Sequence, residues 1–381
     1  MAPVPSDPAS FNHRFVTVPS GHRYHLIDQH PEHWRGPIEQ APTILMAHGF
    51  PDLWYGWRYQ IAAFAKRGFR VLCPSQLGYH ETSKPSSPEK YSFKSVAYDM
   101  NGLLDVCGVG KVIVFGHDWG GMVAWRFVDY FPHRVICVAC VCTPYMPPAK
   151  PGVPFTPTEE LVRTKLPNFG YQLFFAREDS NVKIEEALEQ FLTTNFSPSV
   201  RALASEGGKP MPQFPVKVGE MESRMDGIIE AKRRGESRPV PTDPEYHYYL
   251  STFRKHGLYH PLNWYRTRKI NHLEEQAARI GPLPAHIPAL MIPAEKDPAL
   301  PPAMANNPAV KKCFSGNLRV LPPIMGADHW VLQASHSLAP APFHLGRQDV
   351  RYCDEVTRLL AEFVDEVLGG KWQPEDAPSK L

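Results

Sequence analysis

The sequence predicts an α/β fold: a doubly wound, mostly parallel sheet interrupted by a long helical segment. Three observations carry this. Short continuous apolar runs at 43–47, 135–141 and 289–293 alternate with stretches of helical spacing. Strands buried on both faces between crossover helices read this way. A further β-rich run, 111–115, leads directly into Gly116-His117-Asp118-Trp119-Gly120-Gly121. From Thr143 to about Arg279 the alternation stops, and helical stretches between proline- and glycine-rich spacers replace it.

In chain order, residues 1–12 read as a loose arm. Segments 14–18 and 23–28 alternate enough to be strands joined at Ser20-Gly21. A polar, proline-broken loop (31–42) precedes the strand 43–47, which runs into His48-Gly49-Phe50-Pro51-Asp52. Helical spacing over 54–66 ends at Gly68; a strand follows at 70–73 and a helix at 92–107. After the strand 111–115, a helix from Gly121 stops near Pro132, and 135–141 is the next strand. Helical stretches at 159–164, 183–196, 218–232 and 245–256 follow, with spacers at 210–215 and 235–244. The α/β pattern resumes at 289–293; 317–321 is the last strand and 354–368 a closing amphipathic helix. The expected organisation is a core in two parts, 1–142 and 280–372, around the helical segment 143–279, with a polar tail at 373–381. There is no internal repeat.

Composition excludes several classes of function. Lys plus Arg exceed Asp plus Glu by 41 − 39 = 2, so nothing electrostatic points to nucleic acid or an anionic membrane. No run approaches the 18 apolar residues of a membrane span. The seven cysteines are odd in number and scattered. Cys137 and Cys140 share C-x-x-C spacing, but in a strand they face opposite sides, which suits small buried hydrophobes in a reducing compartment better than a metal. The chain ends Ser379-Lys380-Leu381 after a polar tail. A terminal S-K-L is a receptor-read peroxisomal address, which predicts an import receptor as partner and the peroxisomal matrix as location, with the cytoplasm as the other reducing compartment.

Asp118 has a glycine two positions before it and another two after it, the G-x-Nuc-x-G spacing of a nucleophile elbow. The plainer alternative is an N-capping Asp in a strand-to-helix loop. An Asp nucleophile forms an ester, which a His base and an orienting acid must then hydrolyse, in the chain order nucleophile, acid, His. Asp297, in Ala294-Glu-Lys-Asp-Pro298, follows the next-to-last strand, and His329, in Gly326-Ala-Asp-His-Trp330, follows the last. Both fall at strand carboxyl ends, where α/β sheets carry their sites. A solvated loop acid and a packed histidine are the plain alternatives. The oxyanion donors expected are the backbone N–H groups of Trp119 and Phe50, and a cis Phe50–Pro51 bond is compatible with that loop.

With these residues in place the chain resembles the soluble epoxide hydrolases of the α/β-hydrolase superfamily, from about Phe15 to Leu368. The motifs are His48-Gly-Phe-Pro51 with Trp54-Tyr55 and Trp57-Arg58; Gly116-His-Asp-Trp-Gly-Gly121; Phe169-Gly-Tyr-Gln-Leu-Phe-Phe175; Pro261-Leu-Asn-Trp-Tyr-Arg266; Ile287-Pro-Ala-Leu-Met291; Ala294-Glu-Lys-Asp297; and His329-Trp330. The resemblance implies the α/β-hydrolase fold, a mostly parallel eight-stranded sheet flanked by helices, with a helical cap domain over 143–279. It implies no extra N-terminal phosphatase domain, and no metal or organic cofactor. It gives Tyr171 and Tyr265 the role of proton donors to the epoxide oxygen, a task suited to a phenol of pKa about 10. His48, Pro51, Trp54, His117, Gln172, Phe175 and Trp330 are the implied pocket positions. The implied partner is a small-molecule epoxide, lipid-derived or a secondary metabolite; a homodimer is compatible with the resemblance.

Four departures from the family pattern stand out: Ser75 and His80 in the loop after 70–73, Asp328 before His329, and an apparent insertion at 334–350. A carboxylate at Asp328 either raises the pKa of His329 or points to solvent, and solvent is expected. Two competing functions remain. A haloalkane dehalogenase also pairs an Asp nucleophile with Trp, but needs no pair of proton-donating tyrosines. A binding protein without turnover needs no intact Asp118, His329 and Asp297 set.

Overall fold

The protein is described by a computed structural model over residues 3–196, 214–236, 241–333 and 351–370. The apparent insertion at 334–350 and the terminal Ser379-Lys380-Leu381 lie outside those residues. Eight strands join in one sheet: His13–Thr17 (β1), Arg23–Gln29 (β2), Thr43–Ala47 (β3), Arg70–Pro74 (β4), Val112–His117 (β5), Val135–Val141 (β6), Ala289–Ile292 (β7) and Leu318–Val320 (β8). Their order is β1-β2-β4-β3-β5-β6-β7-β8. β1, β2 and β4 pair antiparallel at one edge, and every pairing from β4 to β8 is parallel. Every residue of β3, β4, β5 and β7 is buried, which is why these segments are predominantly apolar. The chain leaves β3 for β4 on one side and returns to β5 on the other. The crevice at the carboxyl ends of β3 and β5 is therefore the switch point where such sheets hold ligands.

The helices are Arg58–Lys66 (α1), Phe93–Val106 (α2), Trp119–Tyr130 (α3), Thr158–Thr164 (α4), Gly170–Phe175 (α5), Ser180–Glu186 (α6), Leu188–Phe196 (α7), Glu220–Arg233 (α8), Pro244–His256 (α9), Arg268–Ala278 (α10), Pro308–Lys311 (α11) and Tyr352–Leu368 (α12). α2 starts where the Ser92 hydroxyl accepts from the Ser95 N–H at 3.1 Å, and it buries Phe93, Val96, Ala97, Met100, Leu103 and Leu104 at helical spacing. The closing helix α12 packs on α1, pinned where Gln60 Nε2 donates to the Cys353 carbonyl at 3.2 Å. Between β6 and β7 the described elements are helical or irregular, as the loss of alternation predicts. No helix among the described residues is long and apolar enough to cross a membrane.

Several expectations are corrected. Residues 3–12 are docked, not loose: Phe11 is buried edge-on against Trp54 at 5.0 Å, and the Asp28 N–H donates to the Asn12 carbonyl at 3.0 Å. Segment 54–66 begins as a 3-10 turn, Trp54–Trp57, before α1. The stretch 183–196 is two helices. The Ala187 N–H is shared between the Lys183 and Ile184 carbonyls at 3.2 and 3.1 Å, a tightened end that turns the chain. α3 begins at Trp119, directly after Asp118, and not at Gly121. α5 and α10 have no counterpart in the sequence reading, because α5 is only six residues and opens on glycine, and α10 follows a tight 3-10 turn without a capping side chain.

Candidate active site

Asp118 links β5 to α3 with φ 53° and ψ −126°, a strained region for a residue with a Cβ. Packing holds it there. A Cβ on Gly116 would lie 2.4 Å from the Gly120 carbonyl oxygen, and one on Gly120 would lie 2.1 Å from that of Ala47. Only glycine permits both approaches. The Thr143 hydroxyl donates to the Asp118 carbonyl at 2.9 Å. Asp118 is the residue that precedes α3, and its side chain makes no capping bond to the helix.

The two carboxylate oxygens are differently engaged. Oδ1 accepts from the Phe50 N–H at 2.7 Å, and Oδ2 lies 3.4 Å from His329 Nε2. The Phe50–Pro51 bond is cis. Gly49 gives this contact room, since a Cβ there would lie 2.2 Å from Asp118 Oδ1. On its other side His329 Nδ1 meets Asp297 Oδ2 at 2.6 Å. Asp297 is buried, and its Oδ1 accepts from the Ala299 and Leu300 N–H groups at 3.0 and 2.9 Å. The sequence-predicted Asp118, His329 and Asp297 thus form one continuous chain of contacts, with the Phe50 amide beside it and the Trp119 amide opening α3.

Electrostatics follow from this packing. Burial opposes a charged His329, but Asp297 and Asp118 outweigh it and hold the imidazole well above its usual pKa. Burial also opposes charge on Asp118, but His329 and the Phe50 amide pull its carboxyl below the usual range. The resting pair is an imidazolium against a carboxylate. His117 is buried too, and burial first, then His329, push it down to about 4. Neutral, it donates from Nε2 to the His329 carbonyl at 2.8 Å.

Over Asp118 lies a cavity of about 540 Å³ lined by Asp118, Trp119, Tyr171, Gln172 and Tyr265. Phe93, Met122, Leu161, Leu166 and Phe169 add apolar wall. Tyr171 sits on α5, and its N–H donates to the Val216 carbonyl at 3.2 Å. Tyr265 lies in the 3-10 turn Pro261–Arg266, which Trp264 ties to the core through an indole bond to the Leu77 carbonyl at 3.1 Å. Burial pushes both phenols up, with Asp118 adding to the effect. They therefore stay protonated. Tyr171 accepts from Gln172 at 3.4 Å, and the Trp119 ring packs edge-on against Tyr265 with centres 5.1 Å apart.

The chain matches the family model of the alpha/beta hydrolase fold over residues 42–330. It is 32% identical over 378 residues to the epoxide hydrolase srdG of Neurospora crassa, covering 96% of this chain and 98% of that protein. It is also 32% identical over 305 residues to the mouse bifunctional epoxide hydrolase 2, covering 80% of this chain and half of that protein. The chain belongs to the epoxide hydrolases of the α/β-hydrolase superfamily. Among solved structures, an epoxide hydrolase from Vigna radiata superposes with a TM-score of 0.67 at 24% identity, over 94% of this chain and 99% of that one, which shows the shared fold.

Within this epoxide hydrolase, six expected pocket positions are corrected. Gln172 lines the cavity, but His48, Pro51, Trp54, His117, Phe175 and Trp330 do not. His48 Nε2 accepts from the Gln76 N–H at 3.0 Å, Trp54 donates to the Tyr248 hydroxyl at 3.0 Å, and Phe175 packs on Tyr265 with ring centres 5.0 Å apart. The departures resolve similarly. Ser75 pairs with His25 Nδ1 at 2.8 Å, and His80 stacks on His25 at 4.3 Å, both away from the cavity lining. Asp328 is half-buried, and its Oδ1 accepts from the Trp330 N–H at 2.9 Å instead of pointing to solvent. Sequence reasoning missed the apolar wall and a buried ion pair. Arg126 Nε meets Glu275 at 2.7 Å, joining α3 to α10 beside the cavity. Met122 lies one helical turn past Asp118, a spacing by which it could have been found.

Proposed function

We propose that this epoxide hydrolase opens its substrate through an ester on Asp118 and releases the vicinal diol. One observation carries the reading. A carboxylate held between a histidine and an oxyanion amide shares a largely apolar cavity with two protonated phenols. Oδ2 attacks an epoxide carbon, the C–O bond breaks toward the ring oxygen, and Tyr171 or Tyr265 supplies the proton. Oδ1, on the Phe50 amide, becomes the ester carbonyl. Esterification removes the Asp118 charge, so His329 loses one of the partners that keep it protonated, and its proton passes to the phenolate left by ring opening. The neutral imidazole then takes a proton from water as that water attacks the ester carbonyl. The Phe50 and Trp119 amides stabilise the tetrahedral oxyanion; it collapses with the second proton of the attacking water passing to the leaving alkoxide, giving the diol, a free carboxylate and the imidazolium again.

The segment 143–279 acts in this scheme as a cap that carries the acids over the sheet. The two protonated phenols that line the cavity with Asp118 favour this reading over a dehalogenase, which needs no such pair. The decisive experiment is a single turnover of an aryl or alkyl epoxide in heavy-oxygen water. Label must enter the Asp118 carboxylate; label appearing directly in the diol would exclude the ester. The apolar wall suits a lipid-derived or secondary-metabolite epoxide. Delivery to the peroxisomal matrix through Ser379-Lys380-Leu381 is a separate proposal, supported by the tripeptide, and a fluorescent fusion lacking it should stay cytoplasmic. Self-association as a homodimer is proposed on the family resemblance, with sedimentation as its test.

A further inference from the structure

Asp52 lies two residues beyond the Phe50 amide and is fully buried. Its N–H donates to the Gly49 carbonyl at 3.2 Å, closing the turn that presents Phe50. Its Oδ1 accepts from the Leu53 N–H at 2.8 Å, from the Tyr249 hydroxyl at 2.6 Å and from Gln333 Nε2 at 3.4 Å. Tyr249 is on α9, within the segment between β6 and β7. Gln333 is four residues past His329, and its N–H donates to the Trp330 carbonyl at 3.1 Å. Gln333 Oε1 in turn accepts from Arg58 at 3.2 Å, and Arg58 pairs with Glu245 of α9 at 2.6 Å. Three parts of the molecule therefore meet on one carboxylate: the oxyanion turn, the loop of the base and a helix of the cap.

The arrangement costs stability. Oδ2 has no hydrogen-bond partner among the described residues. It fits only because residue 56 is glycine; a Cβ there would lie 2.1 Å from it. A buried carboxylate with an unsatisfied oxygen is unfavourable. Burial pushes this carboxyl up to about 6 against the pull of Tyr249, the Leu53 amide and Arg58. Packing alone would be served as well by a neutral side chain.

We infer that Asp52 is a positioning residue for the second half-reaction, holding the Phe50 amide and the His329 loop in register through Tyr249 and Gln333. The inference rests on the two-step ester reading above. His329 acts as a base only in hydrolysis, and the Phe50 amide is most needed when the tetrahedral oxyanion forms. Loosening this node therefore slows release of the ester more than its formation.

The test is Asp52→Asn and, separately, Tyr249→Phe, in the full chain. Steady-state kinetics are combined with rapid-quench mass spectrometry of the Asp118 peptide. When only hydrolysis slows, kcat and KM fall together by about tenfold while kcat/KM holds within about twofold, and ester accumulates. A merely structural role would lower kcat at constant KM through loss of folded enzyme. That pattern, or unchanged kinetics in both variants, overturns the inference. Should Asp52→Asn fail to fold, Tyr249→Phe decides, since it removes one donor and leaves the carboxylate bonded to Leu53. Absence of any ester in the unsubstituted enzyme would sink the two-step reading itself. Ester in that enzyme without a shift in the variants overturns only the role of Asp52.

Discussion

The sheet-borne half of the site and the helix-borne half are built to different tolerances. Asp118, Asp297 and His329 each follow a strand, and each is fixed by backbone bonds or a short contact: 2.9 Å at the Asp118 carbonyl, 2.9 and 3.0 Å at Asp297 Oδ1, 2.6 Å between Asp297 and His329. Tyr171 rides on a six-residue helix, and its hydroxyl has a 3.4 Å bond to Gln172. Proton transfer among fixed groups needs fixed distances, whereas donors to a substrate oxygen must accommodate the substrate. In the proposed mechanism the first task sits on strand ends, the second on a short helix and a 3-10 turn.

The largest test of that division removes the nucleophile. Asp118→Ala should abolish turnover, by about 10⁴-fold or more, with no ester by mass spectrometry; residual diol formation above a tenth of normal would contradict the scheme. His329→Gln should lose about 10²–10⁴-fold in kcat yet still form ester, because only the base is gone. Ester trapped stoichiometrically on Asp118 is the expected readout, and its absence would place His329 in ring opening.

The helical half predicts the converse. Tyr171→Phe or Tyr265→Phe alone should lower the rate of ester formation by about 10–100-fold, as expected for a hydrogen bond to developing charge. The double variant should fall much further, and pre-formed ester should hydrolyse at the normal rate. A normal alkylation rate in the double variant would remove the phenols from the mechanism.

A titration sharpens the electrostatic link between the halves of the reaction. Asp297 and Asp118 together hold His329 well above its usual value against burial. In Asp118→Asn one carboxylate is neutral, so the imidazole should lose its proton at lower pH than in the unsubstituted enzyme. NMR of the ring C–H signals checks the sign; an unchanged titration would mean that esterification does not release the base.

The same division governs what could be read from sequence. The inner strands were legible because a parallel sheet demands apolar runs, β1 and β2 because they alternate, and Asp118, Asp297 and His329 because sites follow strand ends in a fixed chain order. The tyrosines were not legible from periodicity: with 15 in the chain, only family resemblance singled out two. α5 is too short for its spacing to register. Asp52 was not singled out in the sequence, since its partners Tyr249 and Gln333 are 197 and 281 residues away. His117 and Trp330 show a further limit: adjacency to a catalytic residue in sequence does not say on which side of the backbone the cavity lies.

The smallest effect expected comes from the glycine that seats α5. Gly170 has helical φ, so alanine there should favour the helix by up to about 1 kcal/mol. Packing opposes it, because the new Cβ would lie 2.3 Å from the Val218 nitrogen and 2.4 Å from the Lys217 carbonyl carbon. Backbone cannot swing aside as a side chain can, and overpacking of this kind costs about 1–3 kcal/mol. The chain at 216–218 must move off, breaking the Tyr171 N–H bond to Val216. Gly170→Ala should therefore slow ester formation several-fold, leave ester hydrolysis unchanged and lower the melting temperature slightly. A rise in melting temperature with normal alkylation would show that Tyr171 finds the epoxide oxygen without the seat that Gly170 provides.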